Sequence, residues 1–214
     1  MDAEIILLTK SKKYNNYCIA GVDLNSGSWI RLVSNQSDIR CAVPTVDLTY
    51  QDGSEAQIYD VVQVQLTKQV PLNFQPENFE YDPEYYWLKK RRSSLNEVIS
   101  LLKQHADPYV FHNLDKRLAS TFVTAISPTQ RYSLKFIYVD SATLNVERYE
   151  RLKYKLSFSY NGNYYYDFSV TDYTFLQHYQ SEGSFDLKNR GLVISLGELF
   201  TLDQCHYKLV AAII

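Results

Sequence analysis

Three clusters of basic and aromatic side chains are the parts of this sequence best equipped for chemistry. The first sets Lys10, Lys12 and Lys13 beside Trp29 and Arg31. A cationic track that follows phosphates, combined with aromatic faces on which bases stack, is how single-stranded nucleic acid is held. If residues 29–33 (WIRLV) form a strand, Trp29, Arg31 and Val33 share one face. Arg31 can then grip a phosphate or stack on a base. The competing reading makes Trp29 part of the core and Arg31 a strut paired with Asp23. The second cluster is Tyr85-Tyr86-Trp87 followed by Lys89-Lys90-Arg91-Arg92. Read as a helix, a basic run of this kind points in all directions, so only part of it faces one ligand. Otherwise it is a solvated helix face anchored by its aromatics. The third is Lys153 and Lys155, with Arg148 and Arg151 nearby and Tyr164 and Tyr166 on the next segment. These six make a local positive patch with rings, or else the ordinary solvent side of an alternating strand.

Other chemistry finds little support. His105, His112, His178 and His206 show neither HExxH nor HxH spacing, and Cys18, Cys41 and Cys205 show no CxxC pair. Neither a zinc site nor a disulfide framework is expected, and the three cysteines read as free thiols. Ser195 lies in Ile194-Ser195-Leu196-Gly197, which lacks the nucleophile elbow. The 7 glycines form no phosphate-cradling loop. Asp23 and Asp172 act as a carboxylate pair only if folding brings them together, and Asp172 has a ready role at a helix start. The expectation is therefore a protein without catalytic residues, cofactor or metal.

The elements that must position these residues are mostly strands. The chain has 214 residues, 45% of them hydrophobic and 21% charged, with a net charge of -2, a globular balance that excludes global disorder. Residues 1–75 carry 6 basic and 8 acidic groups, residues 76–130 carry 7 and 7, and residues 131–214 carry 9 and 9. No segment is basic as a whole, which argues against a broad duplex-binding surface. No apolar stretch is long enough to span a membrane. The acidic start Met1-Asp2-Ala3-Glu4 is unlike a secretory leader, so cytoplasmic residence and no membrane partner are expected. Of 19 tyrosines, 11 fall in residues 131–214, where strands accommodate them.

Short apolar runs mark strands at residues 4–9 and 17–22, and period-two patterning marks them at residues 29–33 and 58–67, with Val62, Val64 and Leu66 on one face. Residues 10–13 read as the loop leaving the first strand. Pro71, Pro76 and Pro83 interrupt regular structure, and Ser94 with Glu97 has capping-box spacing at the head of a helix over residues 94–105. A second helical piece is read over residues 113–122. Strands return at residues 133–139, 152–160, 163–170, 191–196 and 206–213, and Asn161-Gly162 is a strong hairpin turn. Thr171-Asp172 opens a short helix over residues 173–180. The expected architecture is mainly β with a helical insert: residues 1–75 and 131–214 as two barrels, joined by a mostly helical segment over residues 76–130.

Both ends of the chain carry a resemblance. Cys18-Ile19-Ala20-Gly21-Val22-Asp23, then Gly27-Ser28-Trp29-Ile30-Arg31-Leu32-Val33, resembles the opening of the dual OB-containing domain family. Ser195-Leu196-Gly197-Glu198 and His206-Tyr207-Lys208-Leu209-Val210-Ala211-Ala212-Ile213 resemble its close, and Val170-Thr171-Asp172 an internal step. The resemblance implies two OB-like barrels and a nucleic-acid role, often in bacterial or phage conflict systems. Expected site residues are Lys10, Lys12, Lys13, Trp29, Arg31, Lys89, Arg91, Lys153 and Lys155. The expected partner is single-stranded or structured RNA or DNA. A small nucleotide sensed or sequestered by the protein is the second reading. An adaptor for a protein partner, or for a second copy of the chain, is the third.

Overall fold

In the computed structural model, which describes residues 1–13, 15–103 and 105–214, the chain is 53% strand and 11% helix. It divides into two compact units, residues 1–72 with 77–103 and residues 73–76 with 104–214.

The first unit contains β1 (Asp2–Lys13), β2 (Asn16–Asp23), β3 (Trp29–Val33), β4 (Asp60–Gln69), β5 (Asn78–Tyr81), β6 (Leu88–Arg92) and α1 (Leu95–Leu101). The order β1-β2-β3-β5-β4 closes on itself because β4 also pairs with β1, and β3 and β5 run parallel. This is a five-stranded barrel. β6 and β5 lie end to end along one edge of β4, β6 against Asp60–Gln63 and β5 against Leu66–Gln69. Alternate residues fill the barrel: Ile5, Leu7, Ile19, Ile30, Leu32, Val62, Val64 and Leu66. The opposite face is buried too. Val61, Ile6, Val22 and Trp29 are aligned across four strands and none exceeds 6% exposure. The unbroken apolar run Ile5 to Leu8 has this cause, because a strand covered on both faces needs no polar alternate.

The second unit contains β7 (Arg117–Ala119), α2 (Ser120–Ala125), β8 (Leu134–Arg148), β9 (Leu152–Tyr160), β10 (Asn163–Val170), α3 (Tyr173–Leu176), β11 (Gly183–Phe200) and β12 (Cys205–Ile213). Its order β8-β9-β10-β12-β11 closes through β11–β8, again with one parallel pair, β10–β12. The strand plan of the first barrel is thus repeated. Leu144, Leu156, Phe158, Tyr165, Phe168, Leu192 and Val210 pack inside. Asn161 and Gly162 both hold positive φ at the β9–β10 turn, as an Asn-Gly hairpin requires.

The helical middle needs correction. Residues 76–130 hold three strands besides α1 and α2, and they are divided between the two units. Ser94 caps α1 by accepting from the Glu97 N–H, but the helix stops at Leu101. The basic run Lys89–Arg92 is not helical. As β6 it finds hydrogen-bond partners on β4 and counter-charges close by, which one helical turn of like charges would lack. Residues 10–13 belong to β1 rather than to a loop, since they pair with Asn16–Ile19 as far as the hairpin end. Residues 113–122 give β7 and the head of α2 instead of one helix. β8 and β11 run far beyond the apolar stretches that marked them, because each supplies the other's ladder from Gly183↔Val146 to Ser195↔Leu134.

Candidate functional site

The first cluster is drawn into the fold of the first barrel. Lys10 is 7% exposed; its Nζ pairs with Glu55 at 3.0 Å, donates to the Ala56 carbonyl at 3.0 Å and lies over the Tyr17 ring. Lys13 donates to the Arg40 carbonyl at 2.7 Å, and Lys12 is exposed. Trp29 and Arg31 are 6% and 5% exposed. Ladder partners share a face, so Arg31, opposite Ala20 and in line with Thr9, lies on the side of Lys13; Lys12, opposite Tyr17, lies on the other. Lys12 therefore does not share a cationic face with Lys13 and Arg31. Arg31→Ala is expected to destabilise the first unit by about 2–4 kcal/mol, as a large truncation at a buried site does. Urea unfolding followed by Trp fluorescence reads this out.

The second cluster is separated. Trp87 is 2% exposed in the barrel core. Tyr85 and Tyr86 line a cavity of about 210 Å³ with Asp47 and Glu84, an acidic rather than basic surrounding. Lys89 pairs with the fully buried Asp60 at 2.9 Å, which Arg92 also approaches at 3.5 Å. Arg91 grips Glu97 with both terminal nitrogens, at 2.8 and 2.5 Å. That contact holds the Glu97 carboxyl down at about 2. Lys89 and Arg91 are thus tied to acidic partners within their own unit.

The third cluster is assembled as an open surface. In the second barrel β9 and β10 occupy the places of the second and third strands, the face on which barrels of this plan take ligands. Lys153 and Lys155 alternate with the inward residues Leu156 and Phe158 and lie on the outer side. A bulge follows Tyr165, where Asp167 holds positive φ and its N–H donates to the Ser157 hydroxyl at 3.1 Å. Tyr164 and Tyr166 flank the inward Tyr165, 45% and 66% exposed, with ring centroids 4.2 Å apart. Further down the same strands Lys155 donates to the Ser169 hydroxyl at 2.6 Å, and burial lowers its pKa. Lys153 lies 4.3 Å over the ring of Tyr149, itself 62% exposed in the β8–β9 connection that also carries Arg151; Arg148, opposite Leu152, lies on the other face and pairs with Glu182 at 3.3 Å. Tyr149 donates to Glu147, the acidic residue opposite Lys153. The arrangement offers two stacking rings and then a line of cations, about 13 Å from Ser157 to Lys153 along β9. The corresponding face of the first barrel, β2–β3, is buried.

The two aspartates have local tasks. Asp23 accepts from the Ser26 N–H and hydroxyl, while Asp172 caps α3 through Phe175 and accepts from the Ile213 N–H. None of the three cysteines forms a disulfide among the described residues. Among the described residues no group of His, Cys, Asp and Glu is placed to hold a metal, and no helix is long and apolar enough to cross a membrane.

A further cluster has no counterpart in the sequence motifs. Asp107 accepts from the backbone N–H groups of Tyr109 and His112 and from the Tyr132 hydroxyl. Burial alone would raise its pKa, but these donors outweigh burial and lower it. Burial pushes His112 down against the pull of Asp107, and lowers Lys135 as well. Lys135 donates to the carbonyls of Asp107 and Tyr109 at 2.6 and 2.7 Å, and Lys208 to both oxygens of Asn113. Two histidines around an aspartate in HADPYVFH are the available signal, but no spacing rule covers a loop. Lys208 is 1% exposed, and burial lowers it to about 7. A lysine less basic folded than unfolded binds fewer protons in the native state between about pH 7 and 10.5. Stability of the second unit is therefore expected to rise with pH there, by about 2 kcal/mol from pH 7 to pH 9. Urea midpoints at the two pH values, with Lys208→Met as the variant that loses the slope, check it.

A family model described as the dual OB-containing domain matches residues 3–213. No curated protein matches the chain.

Proposed function

The chain belongs to the dual OB-containing domain family, and from that premise we propose that it is a non-enzymatic nucleic-acid-binding protein whose ligand is a single strand. The observation that carries the reading is the exposed Tyr164–Tyr166 pair continuous with Lys155 and Lys153 on the β9–β10 face. Stacking on such rings is tolerant of sequence, because every base has a π-face. The near-neutral chain favours a short track over a wide polyanion surface. Binding is assigned to the second barrel because the first keeps its equivalent face covered and commits Lys10, Lys89 and Arg91 to acidic partners.

Fluorescence anisotropy of labelled 16-nucleotide dT and U oligomers, at salt concentrations from low to physiological, tests the proposal. Lys153, Lys155 and Arg151 predict a log–log salt slope of about -2, at about 0.7 per phosphate neutralised on a single strand. No binding at low salt, or binding without salt dependence, overturns it.

A further inference from the structure

The second unit contains a cavity of about 420 Å³ that the strand face does not include. Its walls are His105, Asp107, His112, Thr129, Gln130 and Tyr132, with Ala106 between them. His105 stacks on Tyr132 with centroids 3.9 Å apart and planes 16° from parallel, and His112 tilts against the same ring at 5.2 Å. The backbone that presents His112 is held in an unusual conformation: Phe111 and His112 both have positive φ, 53° and 66°. Such strain costs about 1–3 kcal/mol per residue and persists where the surroundings over-determine it, often at ligand sites. Here the surroundings are hydrogen bonds, from the His112 N–H to Asp107 and from the Val110 N–H to the Tyr165 hydroxyl.

The lining narrows the ligand class. Ala106 is its one aliphatic side chain among the described residues, so an acyl chain or other oily ligand has little to pack on. Asp107 already accepts at both oxygens, which disfavours a cation. Among the described residues no lysine or arginine lines the cavity. Lys135 is turned to two carbonyls, and Arg131, beside Gln130, donates to the Ile126 and Thr124 carbonyls and to Asn73. Neither is directed at a phosphate in the cavity. What remains is a flat, uncharged ring system with hydrogen-bonding edges, served by three aromatic side chains and by the Thr129 hydroxyl and Gln130 amide. The volume falls in the usual range for small-ligand sites, about 300–1,000 Å³.

We infer that this cavity is a pocket for one unpaired nucleobase, recognised as a planar heterocycle by the His105–Tyr132–His112 rings and along its edge by Thr129 and Gln130. The pocket stands apart from the strand-face reading. Its base can come from a free nucleoside or from a nucleotide of a bound strand, and the chemistry is the same.

The full chain is titrated with adenosine, guanosine, cytidine and uridine to millimolar concentration, followed by saturation-transfer NMR. At least one nucleoside is expected to bind. His112→Ala is expected to weaken it about tenfold or more, the loss of one stacking partner. Gln130 is exposed, so Gln130→Ala keeps the test open should His112→Ala fail to fold. The Tyr164→Ala/Tyr166→Ala variant should bind nucleosides as the parent does. If His112→Ala also weakens the 16-nucleotide strand, the base belongs to that strand; if strand affinity is unchanged, the pocket takes a free nucleoside. No saturable nucleoside signal, or an affinity unchanged in both pocket variants, overturns the inference. Retained oligonucleotide binding in that case leaves the strand face standing.

Discussion

Replacing Tyr164 and Tyr166 together by alanine is expected to weaken binding of a 16-nucleotide single strand by about 30- to 1,000-fold. Each ring on which a base stacks contributes about 1–3 kcal/mol. The two rings touch, so their effects are shared rather than summed. A combined loss of about 2–4 kcal/mol follows, with every 1.4 kcal/mol a factor of ten. Both side chains are exposed and outside the core cluster, so the melting temperature should move little. Lys153→Glu with Lys155→Glu should act differently, flattening the salt slope by about 0.7 for each phosphate no longer neutralised. An affinity within twofold of the parent in the tyrosine variant, with the salt slope intact, places binding elsewhere on the protein.

The second large effect concerns folding. Gly21→Ala is expected to destabilise the first unit by at least about 3 kcal/mol, the upper range for overpacking. A Cβ at position 21 would stand 2.1 Å from the Ile6 carbonyl oxygen and 2.6 Å from the Ile5 side chain. The obstruction is backbone, and it lies where β1 shifts register against β2 after Leu7. A rotamer change cannot relieve it; the β1–β2 pair must separate. The glycine of the CIAGVD motif is thus there because two strands approach closely. Urea unfolding at pH 7 reads the loss, and a Gly21→Ala protein as stable as the parent would contradict the close approach.

Much of the barrel plan is legible in period two. Residues 152–160 alternate in type because one side packs inward and the other carries Lys153, Lys155 and Ser159 outward, and Asn161-Gly162 fixes their return. The same alternation puts Lys153 and Lys155 outside, and the structure keeps them there. Lys10 and Arg31 look ligand-facing in the sequence and are not, because their burial is set by partners far along the chain. Arg31 is aligned with Asn78 of β5 in the ladder, and Lys10 meets Glu55 across 45 positions. Neither neighbour is visible in local composition. β6 is hidden for another reason: LKKRR has no apolar alternate to mark a strand, and only the free edge of β4 makes it one. The Asp107 cluster draws on a loop and on Tyr132, beyond the reach of any periodicity.

The position of β6 has a consequence for solubility. It is the last strand of its sheet, and all five of its residues are exposed. An outermost strand presents backbone N–H and C=O groups to any other strand that drifts past, the usual route to edge-to-edge aggregates. Four of its five residues are lysine or arginine. A second copy approaching in register would bring like charge against like charge. The basic run therefore reads as a guard against fibre growth, and its most sensitive assay is turbidity over time in a chain neutralised at Lys89, Lys90, Arg91 and Arg92.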